Sequence, residues 1–474
     1  MDASDVYRGT EGEPLPTEPE PRRVEREPDR GGLDGFFKLT ERGTTIGTEV
    51  KAGITTFMVM VYIVAVNPSI LSAAGIDPVA AAAATALVAG VMTILMGVVA
   101  NYPIALAAGL GINGIVAFGL VLGAGLTPAG AMGVIVIEGL VVTLLVLVGL
   151  REAIMNAVPL ALKRAIGVGI GLFILFIGFT DGGLIRQPAG DGPVPVEFVF
   201  PNSPSAWVMI LGLLITIVLF VRKVPAALLV SIVITSIVAY LAGVTKGPAD
   251  FSAVPNFSTL GAFDLSNVFS HLGLLAAVLT IFTIMLTDFF DTMGTATAIT
   301  EQAGLTDADG RVPGIGRILL VDSVAAFAGG AAGISSNTSY IESAAGVAEG
   351  GRTGLTSVVV GLLFFVAILL SPLVVFVPFA ATAPVLVVVG YLMATLIKDI
   401  DFTDVEEGLP ALLGIMLMPL TFSITVGIGA AFIAWVVIKL VVGKVGAIHP
   451  LMWVVSLAFL VYFAQSWINA ILPK

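Results

Sequence analysis

Nine residues in the second half of this chain, Ser335-Ser336-Asn337-Thr338-Ser339-Tyr340-Ile341-Glu342-Ser343, are nearly all polar, yet both flanks are apolar at membrane-spanning length. At that depth backbone N–H and C=O groups have no water to bond. A non-helical polar run survives there only where protein surrounds it or where it lines a cavity. Interrupted helices of this kind build the substrate sites of secondary transporters. Any fold for the chain must hold this break inside a bundle.

The flanks justify reading the whole chain as membrane-embedded. Of 474 residues 57% are hydrophobic and only 12% charged, where a soluble domain carries about 25% charged residues. The mean hydropathy is +1.04. The 54 glycines suit close helix–helix approach in lipid. There is no cysteine, which excludes disulfides and thiolate metal sites, and two histidines, His271 and His449, make no histidine metal centre. Residues Met1 to Asp34 are rich in Pro, Glu, Asp and Arg and read as disordered. No apolar stretch follows their charges, so they are not a signal peptide. Phe36-Phe37-Lys38-Leu39 reads as a short interfacial element.

Hydrophobic spans are expected at roughly 54–72, 78–99, 104–122, 128–149, 165–182, 205–221 and 224–243. A turn-rich loop follows, and a second set runs 272–298, 316–333, 335–349, 353–376, 382–397, 409–422 and 424–441. The apolar stretch 449–470, with Trp453 and Trp467, is either a further span or a segment lying along the inner surface. Lys and Arg in short loops set the orientation. Lys38, Arg42, Lys51, Arg151, Lys163, Arg164, Arg222, Lys223, Arg311, Arg317, Arg352, Lys398, Lys439 and Lys444 all fall on one side if the N-terminus is cytoplasmic. Arg186 and Lys246 are the exceptions.

The halves repeat. Val158-Pro159, Val168 and Gly171 match Val377-Pro378, Val387 and Gly390 at a constant offset of 219. Seven spans per half is odd, so consecutive repeats have opposite topology, an inverted-repeat pattern. The polar break then needs a partner in the first half. Asn101 to Phe118 fits, because Pro103, Gly109, Gly111 and Gly114 make a poor continuous helix.

Chemistry-bearing residues cluster in few places. Asp288, Asp291, Thr292 and Thr295 fall at i, i+3, i+4 and i+7 on one face of a helix, with Phe289, Phe290 and Met293 on the other. Carboxylates inside a membrane are costly and default to function. For Asp291 that reading is preferred over a packing cluster, and Asp288 either shares the role or supports its neighbour. Glu342 is expected in the first turn of a half-helix, where the dipole favours negative charge, and the Ser339/Glu342 spacing also fits a capping box. Asp322 and, more weakly, Glu138 read as structural hydrogen-bonding groups. Asn67-Pro68-Ser69 is either a cavity-lining break or a helix stop. Asp401, Asp404, Glu406 and Glu407 read as a solvated loop cluster. No Lys or Arg sits mid-span, which argues against an anion transporter, and no metal or nucleophile constellation supports a membrane enzyme. Two carboxylates facing hydroxyls and backbone N–H groups suit a neutral ligand with several N–H donors. A carboxylate at the midplane can also take up a proton on one side and release it on the other.

Three linked motifs carry a family resemblance. Phe290-Asp291-Thr292-Met293-Gly294-Thr295, Thr338-Ser339-Tyr340-Ile341-Glu342-Ser343-Ala344-Ala345-Gly346 and Gly350-Gly351-Arg352-Thr353-Gly354-Leu355-Thr356 resemble the adenine/guanine/hypoxanthine permease branch of the nucleobase–cation symporter-2 (nucleobase/ascorbate transporter) family. Phe36 to Phe57 and Val66-Asn67-Pro68-Ser69-Ile70-Leu71 resemble it too. The similarity runs from about Phe36 to Leu440. Where the family usually shows Ala-Pro-Gly-Met-Gly-Leu-Asn, this chain has Ala107-Ala108-Gly109-Leu110-Gly111-Ile112-Asn113. Ile334 and Asn337 also stand where Thr and an apolar residue are common.

The resemblance implies an all-α polytopic membrane protein of the uracil-permease fold. It has 14 transmembrane segments in a 7+7 inverted repeat, with short β-strands in spans 3 and 10. The expected organisation is a tail over 1–35, a first repeat over 36–243 (core spans 1–4, gate spans 5–7), an extramembrane loop over 244–271, a second repeat over 272–441 (core spans 8–11, gate spans 12–14) and an apolar segment over 442–474. The implied activity is purine nucleobase import by proton symport, through an elevator-like shift of core against gate in the cell membrane. Matched to the family's site, Asp291 and Glu342 bind the base, Thr295, Thr338, Ser339 and Tyr340 line it with Ala107 and Gly109, and Asp291, Glu342 and Asp288 couple the proton. Asn67, Asn113 and Asp322 are structural polar groups. No cofactor or metal is expected beyond the coupling proton. The partners are the purine base, the proton, the lipid bilayer and a second copy through the gate, with no nucleic acid.

Overall fold

The computed structural model describes residues 31–150, 157–188, 196–245, 251–307 and 312–471, with side chains as far as 464. Residues 1–30 of the tail, Arg151, Lys246, Arg311 and the Trp467 side chain lie outside the described residues.

Among the described residues, nine helices are long and apolar enough to cross a membrane: Ile46–Ser72, Pro78–Ala100, Pro128–Leu147, Leu160–Asp181, Pro204–Val221, Leu274–Gln302, Gly354–Phe376, Phe379–Asp399 and Ile424–Val441. Leu110–Gly123, Ala227–Leu241 and Pro450–Ala464 are shorter apolar helices. Their starts follow local chemistry. Asp77, Thr127 and Ser203 each accept a backbone N–H at the N-cap, and each is followed by a proline at the first helical position, where a missing N–H costs nothing. Thr45, Thr353, Asp404 and Ser423 cap four more helices in the same way. The first span is interrupted at Val61-Tyr62, which joins Ile46–Met60 to Ile63–Ser72.

Two strands run through the middle of the bundle. Leu106–Ala108 (β1) pairs antiparallel with Asn337–Ser339 (β4), in the register Leu106↔Ser339, Ala107↔Thr338, Ala108↔Asn337. The ladder extends at both ends, with Gly109 N–H donating to Ser336 O at 2.8 Å and Tyr340 N–H to Ala105 O at 2.9 Å. All six strand residues are buried. Each strand leads into a helix, β1 into Leu110–Gly114 with its wider turns to Gly123, and β4 into Ser343–Ala348. Ile185–Arg186 (β2) and Glu197–Phe198 (β3) form a separate two-stranded ribbon.

Helices Leu160–Asp181 and Phe379–Ala394 cross at glycines. A Cβ on Gly171 would lie 2.8 Å from Gly390 O, and one on Gly390 would lie 2.5 Å from Gly171 O. These are the two residues matched by the 219-residue offset, and each helix follows its own proline, Pro159 or Pro378, at the N-cap.

Two regions depart from the sequence reading. The loop expected over 244–271 contains a helix, Leu265–Leu272. Asp264 caps it, and Asn267 Oδ1 accepts from Thr127 N–H at 3.2 Å, so the segment docks on the start of Pro128–Leu147. Dense turn residues before Asp264 hid this single amphipathic stretch. Glu406 and Glu407 are not a free solvated cluster, because the near-buried Lys439 bonds them at 2.7 and 3.1 Å and Lys444 bonds Glu406 at 2.6 Å. These partners lie more than thirty positions away, out of reach of any local pattern. Helix Pro450–Ile471 packs on Ile424–Val441, where Gly429 leaves room for the Phe459 ring.

Glu49, wholly buried, fastens the first helix to the start of Gly354–Ala367. Its Oε2 accepts from Thr353 Oγ1 at 2.8 Å and Thr356 Oγ1 at 2.7 Å, and Oε1 from Arg352 N–H at 2.8 Å. This accounts for the Arg352-Thr353-Gly354-Leu355-Thr356 motif, whose N–H groups and hydroxyls are donors for one carboxylate. Glu49→Ala leaves those donors buried and unmatched. Stability is expected to fall by about 3 kcal/mol, read as a lower melting temperature in detergent.

Candidate functional site

The strand pair is anchored by Asp322, wholly buried on helix Ile315–Ala331. Its Oδ1 accepts from Ser339 N–H at 3.0 Å and Ser339 Oγ at 2.9 Å. Its Oδ2 accepts from Thr292 Oγ1 at 2.6 Å, and Thr292 shares a second bond of 2.9 Å with Thr338 Oγ1. One carboxylate thereby joins β4, Ile315–Ala331 and Leu274–Gln302. From the other side, Thr93 Oγ1 accepts from Leu106 N–H at 2.9 Å, Ser343 Oγ accepts from Ala105 N–H at 2.9 Å, and Tyr340 O–H donates to Ala108 O. Asn67 Nδ2 donates to Thr85 Oγ1 at 2.8 Å and to Ile334 O at 3.2 Å, which steadies the turn into β4.

On this frame two carboxylates face open space. Asp291 is exposed, and a Cβ added to Gly294, one turn further along its helix, would meet nothing within 4 Å. Glu342 is half-buried beside Ile341, which is 49% exposed. Asp291 and Glu342 are close enough for their charges to interact, and Asp322 stands behind Asp291 within the same reach. Tyr62 O–H donates to Glu342 Oε1 at 2.6 Å. Lys163, in the first turn of Leu160–Asp181, places its Nζ 5.6 Å from the centre of the Phe290 ring, so a cation borders the same helix.

The residues singled out in the sequence separate into two layers. Asp291 and Glu342 reach the open side. Thr338, Ser339 and Thr295 are nearly or wholly buried, and the first two direct their hydroxyls to Thr292 and Asp322. Ala107 and Gly109 are buried backbone positions of β1 and its exit. Asp288 is wholly buried one turn before Asp291, so only one of the two carboxylates on that helix reaches the open face. Glu138 is wholly buried too. Asn113 and Asn337 are also wholly buried, and among the described residues their side-chain amides have no partner. The capping box between Ser339 and Glu342 does not form. Ser339 is drawn to Asp322, and Glu342 sits at the N-cap of Ser343–Ala348 without bonding back to it.

Tyr62, Ile341 and Glu49 are the residues missed by sequence reading. A tyrosine inside an apolar span carries a hydroxyl that needs a partner, and that was the available signal for Tyr62. No group of three His, Asp or Glu among the described residues is placed to hold a metal. What the open face offers is acceptors, two carboxylates from different elements, matched to a ligand that presents N–H donors.

Residues 47–434 match the sequence profile of the Permease family, Xan_ur_permease. The chain is similar to adenine permease AdeP of Escherichia coli strain K12, 41% identical over 91% of this chain and 96% of that protein. It is similar to guanine/hypoxanthine permease PbuO of Bacillus subtilis strain 168, 38% identical over 90% of this chain and 99% of that one. Among solved structures, the transmembrane domain of the cyanobacterial bicarbonate transporter BicA superposes with a TM-score of 0.60 at 15% identity, covering 81% of this chain and 96% of the other. That likeness concerns the fold alone.

The anchor can be separated from the open face by mutation. Asp322→Ala strands three buried donors and is expected to cost about 3 kcal/mol or more, while Thr292→Val removes one hydroxyl and costs about 1 kcal/mol. Thermal unfolding in detergent ranks the two, and equal melting temperatures would contradict the anchoring role.

Proposed function

This chain belongs to the permease family, in the adenine/guanine/hypoxanthine branch of the nucleobase–cation symporter-2 group, and we propose that it imports purine bases by proton symport. It is a multi-pass membrane protein. The observation that carries the proposal is the pair of carboxylates, Asp291 and Glu342, on separate elements and within reach of each other's charge, neither wholly covered. Adenine, guanine and hypoxanthine are neutral and carry ring or exocyclic N–H donors, which a pair of acceptors would receive. The names of the relatives support the same substrate class. Asp291 and Glu342 accept the base, one of them carries the transported proton, and Asp288 supports Asp291 from the turn behind. Thr295, Thr338, Ser339 and Tyr340, with Ala107 and Gly109, form the wall on which the pair is mounted.

The architecture proposed is fourteen spans in two inverted repeats, 36–243 and 272–441, with the N-terminus cytoplasmic. The reciprocal Gly171/Gly390 contact supports it, since residues matched between repeats meet where a pseudo-two-fold axis passes between their helices. Spans one to four and eight to eleven make a core that carries the base. The remaining spans make a gate that also pairs two copies, and an elevator-like movement of core against gate exposes the site to each side in turn. Helix Pro450–Ile471 is outside this repeat.

Vesicles containing the protein are expected to accumulate labelled hypoxanthine, guanine or adenine under an inward proton gradient. Collapse of the gradient and Glu342→Ala should each abolish accumulation. Normal uptake by Glu342→Ala would reject the site, and uptake indifferent to the gradient would reject proton coupling.

A further inference from the structure

Among the described residues, the side-chain partner of the Glu342 carboxylate is Tyr62, a residue buried behind the open side. Tyr62 is wholly buried, and its hydroxyl donates to Glu342 Oε1 at 2.6 Å. Glu342 as a residue is half-buried, it adjoins the exposed Ile341, and its carboxylate is within charge reach of Asp291. Glu342 stands at the N-cap of Ser343–Ala348 without a side-chain cap bond into that helix.

The two elements that carry this bond are locked together on either side of it. Below Tyr62, Gly346 presses on the first helix, where an added Cβ would lie 2.6 Å from Ala52 O. Above it, Asn67 on the same span bonds Ile334 O, three residues before β4 begins. Tyr62 itself sits at the interruption between Ile46–Met60 and Ile63–Ser72, which turns its ring toward the half-helix. Both ends of the bond are therefore set by backbone packing, the condition under which a supporting hydrogen bond fixes the geometry of the group that meets a ligand.

We infer that Tyr62 is a positioning residue of the substrate site: its phenol O–H holds Oε1 of Glu342 and presents Oε2 to an N–H donor of the base. The inference rests on the purine reading above. Tyr62 does not contact the base. It removes the rotational freedom of the Glu342 carboxylate, which otherwise has to be lost when the base binds.

The test compares wild type, Y62F, E342D and Y62F/E342D by initial rates of purine uptake into vesicles, with melting temperatures measured in detergent. Phenylalanine keeps the ring and its packing. Y62F is expected to raise KM about tenfold, the scale of a lost hydrogen bond to a charged group, while the maximal rate stays within about twofold. E342D draws the carboxylate back from Tyr62, so adding Y62F to it should change KM less than about twofold further, a coupling that independent structural damage would not produce. Wild-type uptake with an unchanged KM in Y62F would overturn the role of Tyr62 and leave the purine reading standing. Strictly multiplicative effects in the double variant would overturn it as well, including where Y62F lowers the melting temperature. Absence of purine uptake by wild type would overturn the underlying reading together with this one.

Discussion

The structure depends on satisfying two short strands where water is scarce. A β-strand at membrane depth presents N–H and C=O groups that lipid cannot match, each costing several kcal/mol if left bare. Here β1 and β4 match one another, and the groups left at their ends go to Thr93, Ser343, Ser336 and Ala105. Asp322 completes the arrangement by holding Ser339 through backbone and side chain together. Because that carboxylate also holds Thr292, the helix that carries Asp291 is placed by the same side chain that places the strand leading to Glu342. Two residues about fifty positions apart thereby come within reach of each other's charge.

Close helix contact gives this frame its rigidity. Between helices in lipid there is little hydrophobic gain, so association relies on packing and on interhelical hydrogen bonds. Gly171 against Gly390 and Gly90 against Gly361 bring backbones together where any side chain would collide. Hydroxyls supply much of the rest. Ser357 Oγ donates to Tyr102 O and Ile104 O at 2.8 and 2.9 Å, Ser69 bonds Thr382 at 2.7 Å, and Glu49 gathers the start of Gly354–Ala367. Small residues and short polar side chains thus supplement the buried apolar core.

Much of this was legible in the chain. Apolar length located the helices. Glycine and proline between Asn101 and Phe118 marked the partner of the polar break, where a strand and a half-helix stand in the structure. Asp291 and Glu342 were singled out because ionisable groups are so few inside the spans. The misreadings share one cause. Ser339 and Glu342 have the local spacing of a capping box, but a stronger acceptor, Asp322, comes from another helix. Glu406 and Glu407 look solvated beside Asp401 and Asp404 until Lys439 reaches them. Asp288 and Asp291 share a helical stripe, but neighbouring helices cover one and leave the other open.

Composition and periodicity by themselves determined that this is a polytopic helical membrane protein, broken at two corresponding places and carrying two candidate acceptor carboxylates. Those properties are local, set by transfer of side chains into lipid and by backbone preferences over a turn or two. The tertiary structure alone decided which polar group meets which: that Asp322 anchors, that Asp288 is covered, that Glu49 fastens a distant helix start, and that Tyr62 holds Glu342. Such pairings are made across tens to hundreds of positions. They depend on angles and distances between helices that no spacing along the chain encodes.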